Sequence, residues 1–89
     1  MNSDDRPVRN ADAAGRRIDD LSFVMNPERS ELHSFNDVGM RVWELVDGER
    51  TVADIAAAIV DEFEVEPGVA EADALEFLAL LRERDLIRC

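Results

Sequence analysis

Apolar and polar positions in this chain change period twice, and the changes outline its architecture. In the stretch after Asp19-Asp20, Leu21, Phe23 and Met25 alternate with Ser22 and Val24, and Asn26-Pro27 closes the run. Period-two alternation bounded by turn residues predicts a strand. Pro27 fixes its own φ and pushes Asn26 out of the helical region, which suits a turn. The flanking segments complete a three-stranded antiparallel meander at about Arg16–Ile18, Leu21–Met25 and Glu31–Phe35. After Phe35 the period becomes helical. Asn36 or Ser34 can cap a helix with Val38, Val42, Leu45 and Val46 on one stripe and Trp43 beside it. Asp47-Gly48 ends that helix, since glycine readily takes the left-handed conformation found past helix ends.

Thr51 and Asp54 form a capping-box pattern, with Asp in place of the usual Glu or Gln, and open a second helix. Its stripe is Val52, Ile55, Ala56, Ile59 and Phe63, and "EVEPG" breaks it. A third helix is expected over Val69–Arg84 on Ala70, Ala74, Phe77, Leu78 and Leu81, with Leu75 and Leu80 outside the stripe's centre. Leu86 and Ile87 are expected to tuck under the bundle. Residues 1–13 are weakly patterned and read as a flexible N-terminal arm; residues 14–89 read as one domain. The fold class is α+β: a winged-helix-like, three-stranded antiparallel sheet followed by a three-helix bundle.

Composition narrows the function classes. The 89 residues carry 21 acids and 10 bases, a net charge of −11, and every base is Arg. Most of the acids follow residue 35, so the helical part carries a negative field that repels phosphate backbones and anionic membranes and favours basic partners. Surface acids of this kind also serve simply to solubilise a small domain. Cys89 is the one cysteine, which leaves no internal disulfide and points to the cytosol. Nothing near the N-terminus resembles a signal peptide, and no run approaches the ~20 apolar residues that span a bilayer.

Catalytic chemistry finds little to stand on. His33, the single imidazole, lies in the third strand on the same face as Phe35, with no other His or Cys near it in sequence. A general base would need a positioned partner, so a half-buried strand histidine is the better reading. One His and one terminal Cys cannot fill a zinc shell, and neither a calcium loop nor a glycine-rich phosphate loop is present, so no metal or cofactor is expected. A winged-helix regulator acting through DNA or a protein partner is the alternative reading. Against DNA stand Asp54, Asp61, Glu62, Glu71, Asp73, Glu76 and Glu83 on the helices that would have to approach phosphates. A binding module fits better, because the edge of a short meander recruits an extended peptide and a helix with surplus leucines, Leu75 and Leu80, can wall the pocket. A third reading is a structural subunit whose edge strand pairs with a second copy.

Several short motifs in order resemble one family. Phe35-Asn36 is followed by Gly39, by Val42, Trp43 and Leu45, by Asp47-Gly48 with Thr51, Val52 and Ile55, and by Asp73, Phe77, Leu78 and Leu81. Over roughly Arg16 to Ile87 the pattern resembles the PqqD-like family, the RiPP recognition elements that bind precursor peptides of ribosomally made, modified natural products. Asp85 departs from it, standing where a glycine is common. The resemblance implies a non-catalytic peptide chaperone. In it a leader peptide pairs with the third strand, at Glu31, Leu32, His33, Ser34 and Phe35, and lies against the third helix at Asp73, Phe77, Leu80 and Arg84. It also implies delivery of that peptide to a modifying enzyme, often a radical SAM enzyme. The acidic surface adds the expectation that the leader, or the enzyme's docking face, carries compensating Arg or Lys.

Overall fold

The computed structural model describes residues 1–89. Eight elements follow in order: β1 (Val8–Arg9), β2 (Ala14–Ile18), β3 (Leu21–Asn26), β4 (Glu31–Phe35), α1 (Asp37–Leu45), α2 (Val52–Phe63), α3 (Pro67–Glu83) and β5 (Ile87–Arg88). The expected meander is present with β3 at its centre, flanked by antiparallel β2 and β4. β2 and β3 run slightly longer than expected, and β4 has the expected bounds. α3 also begins earlier than expected, at Pro67, because proline is tolerated in a helix's first turn, where its missing N–H has no partner to lose.

The face that the sheet buries is the less obvious one. Val24 is fully buried, with Ser22 and Asn26 beside it, whereas Leu21 is 67% exposed and Leu32 on the neighbouring strand 63% exposed. Register explains this. Met25 pairs with Leu32 and Ile18 with Leu21, so these four apolar side chains share the outer face. The inner face tolerates its polar residues because their hydrogen bonds are made. Asn26 Nδ2 donates to the Arg84 carbonyl at 3.2 Å, and Ser22 Oγ accepts from Arg17 Nε at 3.1 Å. A measurable asymmetry follows. Val24→Ala is expected to lower unfolding free energy by about 2 kcal/mol, from two buried carbons and the space they leave. Leu21→Ala should stay within about 0.5 kcal/mol, as at an ordinary surface site. Urea titration of the two variants checks this.

Both expected helix starts are built as the residue types require. Asn36 Oδ1 accepts from the Gly39 N–H at 2.8 Å. Thr51 Oγ1 accepts from the Asp54 N–H at 3.1 Å, and Asp54 Oδ2 accepts in return from the Thr51 N–H at 3.0 Å. The Thr51 amide and then the Thr51 hydroxyl hold the Asp54 carboxyl below its ordinary pKa. The amides of Arg50 and Glu49 do the same for Asp47, helped by the Arg50 charge. A depressed carboxyl stabilises the fold fully above the ordinary value of about 3.9, and the contribution fades as pH falls through the depressed value. Thr51→Ala removes the hydroxyl that caps the Asp54 N–H and is expected to cost about 1 kcal/mol near neutrality, as is usual when an N-cap is lost. The difference from the parent protein should shrink as pH falls below the ordinary carboxyl range, which thermal melts across pH would register.

The expected loose arm is corrected. β1 pairs with β5 in a second, two-stranded antiparallel sheet, Val8 opposite Arg88 and Arg9 opposite Ile87. Pro7 and Asn10 are buried. Backbone N–H groups of Gly48, Val52 and Ala53 donate to the carbonyls of Pro7, Asp5 and Ser3. Gly48, at φ +80°, is demanded twice, since a Cβ there would come within 2.5 Å of Val8 Cγ2. The chain's two ends therefore close over the bundle, and Leu86 and Ile87 are buried beneath it as expected. Asp85 fills the glycine-like position in the left-handed conformation, φ +58°, which short polar side chains tolerate. Its carbonyl accepts from Asn10 Nδ2 at 2.8 Å, tying the turn to the N-terminal segment.

Candidate functional site

A groove of about 780 Å³ opens between the end of β4, the exposed side of α1 and the length of α3. Two contacts fix how the strand and helix lie. Glu31, at the start of β4, has Oε2 3.6 Å from Arg84 Nη1 at the end of α3. Phe35, at the end of β4, meets Phe77 in the middle of α3 edge-to-face, ring centroids 5.0 Å apart. β4 and α3 therefore run alongside in opposite directions, and β4 has a strand neighbour on one side only. Its free edge borders the groove.

The groove floor is apolar. Phe35 and Phe77 form its centre, with Val38, Val42, Val65 and Leu80 around them. Gly39 packs closely here: a Cβ would lie 3.2 Å from both Phe77 Cζ and Asn36 Oδ1, so these neighbours would have to give by a few tenths of an ångström. Leu80 is 44% exposed and stands at the groove's rim, whereas Leu78, two residues earlier, is fully buried. The rim is acidic: Asp73, Glu76 and Glu83 line it, and no Arg does.

The sequence-derived site residues divide between groove and flank. Ser34, Phe35, Asp73, Phe77 and Leu80 line the groove. Glu31, His33 and Arg84 gather at its β4-start end, where Glu31 Oε2 also lies 3.1 Å from His33 Nε2. That separation is not aligned as a hydrogen bond, and the buried His33 Nε2 has no partner. Leu32 points to the opposite face of the sheet, outside the groove. Leu75 parts from Leu80: it packs against the core as a half-buried residue. Sequence reasoning missed the α1 wall (Val38, Gly39, Val42), Val65 and the rim acids Glu76 and Glu83. Val38 and Val42 were legible as an apolar stripe; that the half-buried Val38 leaves it open towards the groove was not.

A small antiparallel sheet with an open edge, bordered by a helical bundle and an apolar groove, defines a class of peptide-recognition domain. The chain belongs to the PqqD family: residues 22–87 match the family of coenzyme PQQ synthesis protein D. The PqqA binding protein of Xanthomonas oryzae pv. oryzae (strain PXO99A) is 31% identical over 72 residues, covering 81% of this chain and 76% of that protein. The PqqD truncation of Methylobacterium extorquens PqqCD, a functional, stand-alone RiPP recognition element, superposes with a TM-score of 0.84 at 25% identity, covering 100% of this chain and 95% of the other. A lasso peptide synthetase B1 complexed with its leader peptide has the same fold, with a TM-score of 0.82 at 19% identity over 96% of this chain and 100% of that one.

Proposed function

We propose that this protein captures the leader segment of a ribosomally made precursor peptide and presents it to a modifying enzyme, acting by binding rather than by catalysis. The leader joins the β2-β3-β4 sheet as a further strand along β4, at Glu31, Leu32, His33, Ser34 and Phe35. It rests against α3 at Asp73, Phe77, Leu80 and Arg84. The observation that carries this reading is the free edge of β4 opening onto an apolar groove. Main-chain hydrogen bonds supply affinity in strand addition, and alternate side chains of the peptide enter the groove to supply selectivity. The relative that binds PqqA and the fold shared with a leader-bound synthetase component support the same reading.

The radical SAM class of partner enzyme follows from the family resemblance, and action in the cytosol from the single cysteine, Cys89, which leaves no internal disulfide. No helix is long and apolar enough to cross a membrane. The carboxylates of α3 oppose the DNA-binding alternative, because a helix approaching phosphates needs the opposite charge. Titrating a candidate leader into isotopically labelled protein tests the proposal through the amide signals of β4 and α3.

A further inference from the structure

The groove's three rim carboxylates have no ion-pair partner. With 21 acids and 10 Arg, most acids of the chain share that state, and what distinguishes these three is that they border the groove. Arg17 pairs with Asp37, Arg29 with Asp85, Arg41 with Glu62, Arg50 with Asp47 and Arg84 with Glu31. Asp73, Glu76 and Glu83 take part in none of these, and the base at the groove's β4-start end, Arg84, is itself paired with Glu31. Acids placed only for solubility would not need to border the one large apolar recess. We propose that the strand this groove accepts is cationic: an apolar side chain seated against Phe77 and Leu80, with Lys or Arg two residues to either side. One cation faces Asp73 and Glu76, the other Glu83. The proposal rests on the strand-capture reading above and specifies its ligand.

The spacing agrees. Ten residues of helix separate Asp73 from Glu83, about 15 Å at 1.5 Å per residue. Four residues of extended chain cover about 13 Å, and side chains at positions n, n+2 and n+4 share one face. The flexible stems of Lys and Arg span the small remainder. Phe77 and Leu80 lie between the two acidic ends, where the n+2 side chain falls. Exposed ion pairs are individually weak and screened by salt, so the three together should change affinity by on the order of tenfold at low salt.

Selection of a displayed random library of peptides about 15 residues long on the full chain tests this. Labelled winners would then be titrated by fluorescence anisotropy against two triple variants. One removes the rim acids (Asp73→Asn, Glu76→Gln, Glu83→Gln). The other removes the same charge elsewhere (Asp20→Asn, Glu28→Gln, Asp61→Asn). Winners are expected to carry Lys or Arg four residues apart about a central apolar residue. They should lose about tenfold in affinity on the rim variant and less than about twofold on the control. Winners that are neutral or acidic at those positions, yet shift the amide signals of Glu31–Phe35, would overturn the cationic ligand and leave strand capture standing. Equal losses on the two variants would likewise overturn it, assigning the effect to overall charge. Winners that leave those amides unmoved, or no winners at all, would count against both the ligand and the groove.

Discussion

Leu78→Ala is expected to remove about 2–5 kcal/mol of stability, the usual cost of truncating a fully buried leucine and leaving a cavity. Leu78 has no exposed surface and sits in the core cluster with Val24, Trp43 and Ile55. A domain of this size has about 4–13 kcal/mol in total, at roughly 0.05–0.15 kcal/mol per residue. The variant should therefore show a sharply lowered urea midpoint with an unchanged slope, and a measurable unfolded population. A loss below about 1 kcal/mol would mean that α3 is not the spine the packing makes it.

Leu80→Glu, two residues away, should behave in the opposite way. Its side chain is 44% exposed, so stability should change by less than about 1 kcal/mol. Peptide affinity should fall about a hundredfold or more. A carboxylate would replace the apolar rim of the groove, would have to be buried against the incoming side chain, and would join Asp73, Glu76 and Glu83 in an already acidic site. Leu21→Glu supplies the control, since Leu21 lies on the outer face of the sheet. Calorimetric titration with a leader that binds the parent protein separates these outcomes. Equal binding by the Leu80 and Leu21 variants would move the site away from the groove.

The contrast between Leu78 and Leu80 also marks what could be read from the sequence. Helical period put Leu78 on the core stripe and Leu80 outside it, and packing agrees. The same reasoning grouped Leu75 with Leu80, and there it failed, because periodicity records an angle around a helix and not which neighbour covers that angle. Caps were legible because their chemistry is local: Asn36 with Gly39, and Thr51 with Asp54, lie within one turn. The pairing of Val8 with Arg88 was not legible, since two-residue strands carry no alternation and their partner lies at the other end of the chain. The buried face of β3 was hidden for another reason. Ser22 and Asn26 are polar, and it is the hydrogen bonds with Arg17 and the Arg84 carbonyl that let them face the core. The acidity of the helical half was plain in the composition. That three of its carboxylates border one apolar groove depends on how α3 is rotated against β4, which tertiary packing sets.

The most direct measurement of strand capture is the amide NMR spectrum of labelled protein during titration with a precursor leader. Added-strand pairing predicts that Glu31–Phe35 shift, and that outward-pointing amides of β4 gain protection from solvent exchange. Asp73, Phe77 and Leu80 on α3 should shift with them, while β2 stays nearly still. Saturable binding that leaves the Glu31–Phe35 amides unmoved would contradict the account.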